Sequence, residues 1–305
     1  MQQFIRQYML PIAMVIGIVF YKQLAIFAPI IPYLLSVMLF ITYSRIILRD
    51  IRLTKFHYIL LGIQYGGSML VYLLFFKFNT TLAQAAMICV LAPTAASAPV
   101  ITGILGGNIS SIAAYSFISN LSIALLSPLF LALFGDASME TISFGASVVI
   151  IFKKVFPVLL LPFILALTVS SVSPKIHDKI RKAQILSFYL WAVALTIVTS
   201  RVTMFITIQD NASYKLKIII AGVALIICLL QFWFGRRIGK KYNSTVAGGQ
   251  SLGQKNTILA IWLSQTYLNP VASIGPGSYV LWQNIVNSYQ LWRKERKEKQ
   301  IRALK

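Results

Sequence analysis

The chain has 305 residues, 58% of them hydrophobic and only 11% charged, where a soluble domain carries about 25% charged residues. A formal net charge of +21 would ordinarily point to nucleic acid, but here the basic residues cluster between apolar stretches. That is the pattern of membrane topology and of contact with anionic headgroups; it excludes a soluble domain and leaves no nucleic-acid partner to expect.

A spanning helix needs roughly 20 mostly apolar residues. Ten stretches qualify in chain order, at about 8–22, 26–47, 57–78, 82–106, 109–134, 144–170, 184–206, 215–235, 244–268 and 272–292. The first has no small-residue cleavage site before the second, so it reads as a retained helix. Cys89 and Cys228 fall inside apolar stretches and read as small buried hydrophobes. His57 and His177 stand at stretch edges beside Lys and Arg. No metal-ligand spacing occurs, and no cofactor is expected.

The fourth and ninth stretches are interrupted. The fourth reads LAPTAASAPVITGILGGN, from Leu91 to Asn108. Pro93 and Pro99 lack backbone N–H donors, and the residues between them are small. Ser97 is placed to cap a short half-helix with Pro99 in its first turn. Gly106–Gly107–Asn108 then stops it. The ninth reads GGQSLGQKNTILAIWL, from Gly248 to Leu263, and is polar rather than proline-rich. Broken backbone in a membrane must be buried in protein or line a wet cavity. Paired breaks in two halves point to a transporter's substrate site.

The breaks divide the chain as five plus five: a first repeat over 1–138, a second over 139–292 and a basic tail over 293–305, with the join near Gly135 to Gly145. With both termini cytoplasmic, the inside segments hold 20 Lys and Arg against seven outside, Arg201 among the latter. Without the tail the balance is still 13 to seven. The tail reads as a solvated helical extension touching anionic lipid.

Lys255 is the remaining cation. It lies eleven residues beyond Ser244, roughly 16 Å into a ~30 Å core. All seven acidic residues lie in or beside loops, so no intramembrane carboxylate pairs it. Dipoles, water or a bound anion must then stabilise the amine, or desolvation leaves it neutral. If the ninth stretch began later, Lys255 would instead snorkel to the inner interface. Half-helix starts favour an anion. Ser116, Ser119 and Asn120 share one face of the fifth stretch, and Gln283, Asn284 and Asn287 mark the tenth. Gln64 in the third is a weaker candidate.

At the two breaks the sequence resembles the bile acid:sodium symporter family. That family's fourth-helix pattern, a proline, small residues and then Ser-Asn, corresponds to Pro93-Thr94-Ala95-Ala96-Ser97-Ala98-Pro99. Its ninth-helix pattern, roughly Glu-x-Gly-x-Gln-Asn-(Ser/Thr), corresponds to Ser251-Leu252-Gly253-Gln254-Lys255-Asn256-Thr257. The resemblance implies an all-α polytopic membrane protein with ten transmembrane helices. These form two inverted five-helix repeats, with discontinuous helices 4 and 9 crossing near the midplane. It also implies alternating access, with spans 1, 2, 6 and 7 moving against spans 3–5 and 8–10. The sodium ligands depart from the pattern: the family's Glu falls on Ser251, its Gln on Lys255, its Ser-Asn pair on Ala98 and Pro99, and two fifth-helix hydroxyls on Ile112 and Ser116.

The expected function is therefore a secondary transporter of a small or amphipathic organic anion in a bacterial inner membrane. Transport is expected to be sodium-independent, with Lys255 in place of the ion as the coupling residue. The substrate-binding set is Thr94, Ser97, Pro99, Ser116, Asn120, Gln254, Lys255, Asn256 and Thr257, with no metal. The partners are that anion and membrane lipids. The alternatives are sodium- or proton-coupled symport and a non-transporting sensor on the same scaffold. Without intramembrane Asp, Glu or His, an enzyme is not expected.

Overall fold

The computed structural model describes residues 2–44, 51–135, 143–208 and 214–303. The expected repeat boundary, and Arg45, Arg49 and Lys305 of the basic count, lie outside these. Among the described residues the secondary structure is helical apart from one isolated β-bridge. In order come α1 (Gln2–Val19), α2 (Tyr21–Leu24), α3 (Ile31–Tyr43), α4 (Lys55–Phe76), α5 (Thr80–Leu91), α6 (Ala98–Ile104), α7 (Ile109–Phe134) and α8 (Phe144–Leu159). Then follow α9 (Leu161–Val172), α10 (Pro174–Lys182), α11 (Gln184–Ile208), α12 (Tyr214–Lys241), α13 (Thr245–Gly253), α14 (Thr257–Tyr267) and α15 (Ile274–Ala303).

Each of the ten apolar stretches coincides with a helix or a helix pair. Six described stretches are long and apolar enough to cross a membrane, the first being Tyr21–Tyr43 and the last Tyr214–Lys241. The two interrupted stretches are split into pieces of 12 and seven residues (α5, α6) and of nine and 11 (α13, α14). No such piece spans alone at 1.5 Å per residue. At most 39% of any of the six apolar windows is buried within the protein. Leu70, Leu74, Ile226 and Leu229 are among the large apolar side chains left outside. Apolar inside and apolar outside is the signature of a protein solvated by lipid.

Local sequence explains the helix ends. Asn79, Asn108 and Asn256 are N-caps whose side chains accept from Leu82, Ser111 and Leu259 N–H. Thr54 and His57 form a capping box at α4. His57, expected at an interface, is buried, and its Nε2 pairs with the Ser111 carbonyl at 3.0 Å. After α6, Gly106 takes φ +77°, the Gly106 N–H donates to Gly103 and the Gly107 N–H to Thr102. That is a Schellman stop, and it needs glycine because the left-handed conformation penalises a Cβ.

The basic C-terminal stretches of α12 and α15 lie together. Lys294 reaches Ile104, Arg236 reaches Gln290, and Phe56 packs on Tyr242 there. Arg201 belongs to the outside count and to the seventh apolar stretch. It lies within α11, with its guanidinium 4.9 Å from the Phe205 ring.

α12 and α13 approach at backbone contact. A Cβ on Gly235 would meet the Gly248 carbonyl at 2.1 Å, whereas one on Gly222 of the same helix would meet nothing within 4 Å. Gly235→Ala is therefore expected to cost about 1–3 kcal/mol and to lower the yield of detergent-stable monodisperse protein several-fold. Gly222→Ala should leave that yield unchanged. Size-exclusion chromatography after mild heating checks both.

Candidate functional site

The two breaks meet. Thr94 and Lys255 form the antiparallel bridge: Ala95 N–H donates to Gln254 O at 2.9 Å, and Asn256 N–H to Pro93 O at 2.8 Å. Each interrupted segment thus satisfies part of the other's exposed backbone, the requirement a lipid environment imposes.

The remaining backbone groups are met by side chains from neighbouring helices. From the last turn of α5 onward, every carbonyl from Cys89 to Thr94 has a donor. Gln231 Nε2 donates to Cys89 O at 3.2 Å. Lys255 Nζ donates to Val90 O and Ala92 O, both at 2.8 Å. Gln64 Nε2 donates to Leu91 O at 2.7 Å. Asn256 N–H takes Pro93 O, and Asn120 Nδ2 donates to Thr94 O at 3.0 Å. On the second break, Thr94 Oγ1 donates to Ser251 O at 2.7 Å, Tyr279 Oη to Gly253 O at 3.0 Å, and Lys255 N–H to Gln283 Oε1 at 2.8 Å.

Lys255 is 1% exposed. It does not snorkel. Its amine sits at the C-terminal end of α5, where unpaired carbonyls concentrate the negative end of the helix dipole. The α5 carbonyls supply the helix-end dipole considered for it. A charge-assisted bond contributes about 1.5–3 kcal/mol, and here one ammonium serves two carbonyls on the opposite break.

Beside the crossing lies a cavity of about 470 Å³. One wall is mainly apolar and comes from α3 (Met38, Ile41, Thr42) and α11 (Ile185, Phe188, Trp191). The facing wall carries amides and hydroxyls, with Ser97, Gln254, Asn256 and Thr257 from the breaks and Gln283 and Asn284 from α15. Lys255 contributes to this wall while its amine is directed at the α5 carbonyls. The cavity lies next to the end of α3 and the start of α11.

Of the nine residues expected to bind substrate, five line this cavity: Ser97, Gln254, Lys255, Asn256 and Thr257. Thr94, Pro99, Ser116 and Asn120 do not. Thr94 and Asn120 brace the break, Asn120 also bonds the Ser116 carbonyl at 2.7 Å, and Pro99 is in the first turn of α6. Ser97 holds the N-cap position, but its side chain makes no cap bond; Gln254 Nε2 donates to its Oγ at 3.3 Å. The first free N–H groups of α6 are also engaged, with Ala98 N–H on Ala95 O.

Tyr115, Gln231 and Tyr279 were missed. Tyr115 Oη and Ser119 Oγ both donate to Gln64 Oε1, at 2.8 and 2.9 Å, and so orient the Gln64 amide toward Leu91. Gln231 was the findable one, a lone amide inside an apolar stretch; the two tyrosines look like any core aromatic until their hydroxyls are traced.

Comparison with known families bears on this geometry. The pattern of the sodium bile acid symporter family matches residues 3–214, more than half of the chain. The chain belongs to that family. No curated protein matches it. As a member of the sodium bile acid symporter family it is an integral membrane protein of the transporter type acting on small molecules. The matched stretch includes the first break and stops at the start of α12, so Lys255 lies beyond it.

Proposed function

We propose that this family member is a secondary transporter of a small or amphipathic organic anion that works without sodium, because the Lys255 ammonium stands where relatives hold the ion. The observation that carries this reading is the pair of 2.8 Å bonds from Lys255 Nζ to Val90 O and Ala92 O, made across the crossing by a buried residue. A cation that neutralises α5's carbonyl end and ties the two breaks does what a bound metal ion does at such a place. It is covalently supplied, so the crossing is assembled at any sodium concentration.

The fold reading is ten spans in two inverted five-helix repeats, with α5–α6 and α13–α14 as the discontinuous fourth and ninth. In this reading both termini are cytoplasmic and the membrane is a bacterial inner one; the adjacent basic ends of α12 and α15 support the orientation. The cavity then opens inward. Its position between α3 and α11 on one side and the breaks on the other fits alternating access, in which the first pair rocks against the second. The substrate's apolar body would lie on Phe188 and Trp191, and its charged group would meet amide donors of Gln254, Asn256, Gln283 and Asn284.

A thermal-shift screen of organic anions would supply the substrate, and uptake into proteoliposomes tests the reading. Replacing sodium by choline is expected to change the initial rate by less than twofold. A strict sodium requirement would refute the substitution, and saturable binding without flux would refute transport.

A further inference from the structure

We propose that the basic end of α15 is a binding site for the phosphate of an anionic phospholipid, and that this site is mechanically joined to the inner half of the first break. Tyr289, Trp292, Arg293, Arg296 and Gln300 wall one open concavity. They recur at three- and four-residue steps, so they form one face of the helix. The same stripe runs back along α15 through exposed Ile285 and Leu281.

The order of side chains along this stripe matches the cross-section of one lipid leaflet. Leu281 and Ile285 are aliphatic, at the depth of acyl chains. Tyr289 and Trp292 are more than half exposed, with ring centroids 5.9 Å apart; they are interfacial residue types. Arg296 follows, its guanidinium 5.5 Å from the Trp292 ring. From Leu281 to Arg296 the helix rises roughly 22 Å, about the thickness of a leaflet with its headgroups.

Guanidinium groups gather at the top of the stripe, with Arg293 and Arg296 both walling the concavity. Arg293 and Arg236 repel each other electrostatically. Clustered guanidiniums present forked donors that suit a phosphate. A phosphodiester beneath which two acyl chains run is the anion that also satisfies the apolar lower half of the stripe.

Two connections lead from the basic end of α15 and its neighbour Arg236 to the crossing. Lys294, between the two arginines, donates to Ile104 O at 2.6 Å, at the C-terminal end of α6. A second path starts at Arg236, which donates to Gln290 Oε1 at 2.7 Å. Gln250 Nε2 donates to Asn287 Oδ1 at 2.8 Å, Asn287 Nδ2 donates to Gln254, and Gln254 donates to Ser97 on the cavity wall. Gln250 Nε2 also reaches Gln290 Oε1 at 3.3 Å, which closes the path. A lipid that holds Arg293 and Arg296 therefore holds α15 where it grips α6.

The test uses the full-length protein and needs no transport substrate, so its outcome is independent of the uptake experiment above. Native mass spectrometry of protein from nanodiscs of mixed phosphatidylglycerol and phosphatidylcholine reads lipid preference. The preference for phosphatidylglycerol is expected to fall roughly 30-fold in Arg293→Gln/Arg296→Gln. It should be unchanged in Arg237→Gln, a basic residue of the same end outside the concavity. An unchanged preference in the double variant, or an equal fall in Arg237→Gln, would overturn the site. Displacement of the lipid by millimolar inorganic phosphate would show that a free anion is bound instead, and would overturn the lipid assignment. Amide exchange over residues 98–104 is expected to be several-fold slower in phosphatidylglycerol than in phosphatidylcholine nanodiscs for the wild type, and equal in the double variant. Equal exchange in the wild type would overturn the mechanical connection.

Discussion

Lys255→Met is expected to reduce uptake at least tenfold while the variant still inserts and purifies as a monodisperse protein. Two effects oppose each other in its stability. The substitution removes two charge-assisted bonds, about 1.5–3 kcal/mol each. It also relieves the desolvation of an ammonium, several kcal/mol per ion. These are of similar size, so the fold should tolerate the change. Function should not, because the bonds join two different segments: Val90 and Ala92 belong to the first break and the amine to the second. Tenfold is about 1.4 kcal/mol, less than one of the two bonds. Uptake within twofold of wild type, in protein of equal monodispersity, would show that the amine does not hold the crossing together for transport.

Gln64→Leu carries the opposite signature, with a large effect on stability first. Gln64 is fully buried and closes four hydrogen bonds, to Leu91 O and Ala92 O as donor and from Tyr115 Oη and Ser119 Oγ as acceptor. Leucine is close in volume, so no cavity is made, and no charge is removed to offset the loss. The Leu91 carbonyl and the Tyr115 hydroxyl are left buried without partners, at about 1–3 kcal/mol each. A fall in thermal midpoint of about 10 °C is expected, measured by fluorescence-detected unfolding in detergent. Tyr65→Phe, which removes only the 2.7 Å bond to Ser122 Oγ, should cost about 1 kcal/mol. Similar midpoints for the two variants would show that Gln64 is not a keystone of the break.

The contrast between these two residues shows how far the chain could be read in one dimension. Lys255 was conspicuous because a lysine inside an apolar stretch is costly wherever its amine goes. Gln64 was a minor candidate because an amide in a membrane helix is common and its partners lie 27 to 55 residues away. Ser97 shows the same limit at close range. Its position before Pro99 marked a cap correctly as a location, yet the hydroxyl serves Gln254, which comes from the other break and is 157 residues distant. Ser116 and Asn120 shared a face as their spacing required, but that face is turned to the break's backbone and not to the cavity.

The sequence by itself determined the membrane class, the placement of the two interruptions, the glycine stop after α6 and the position of Lys255 within the second interruption. Each depends on composition or on steric rules that act within a few residues, such as the missing N–H of proline and the left-handed freedom of Gly106. Only the tertiary structure decided that the amine meets Val90 and Ala92, more than 160 positions away, and that five of the nine expected residues line a cavity while Thr94 and Asn120 brace the backbone beside it. Hydrogen-bond donors in a lipid-solvated protein must find acceptors inside the protein, and several chemically equivalent acceptors lie within reach of each. Which one is taken depends on how helices from the two halves pack, and local spacing carries no record of that.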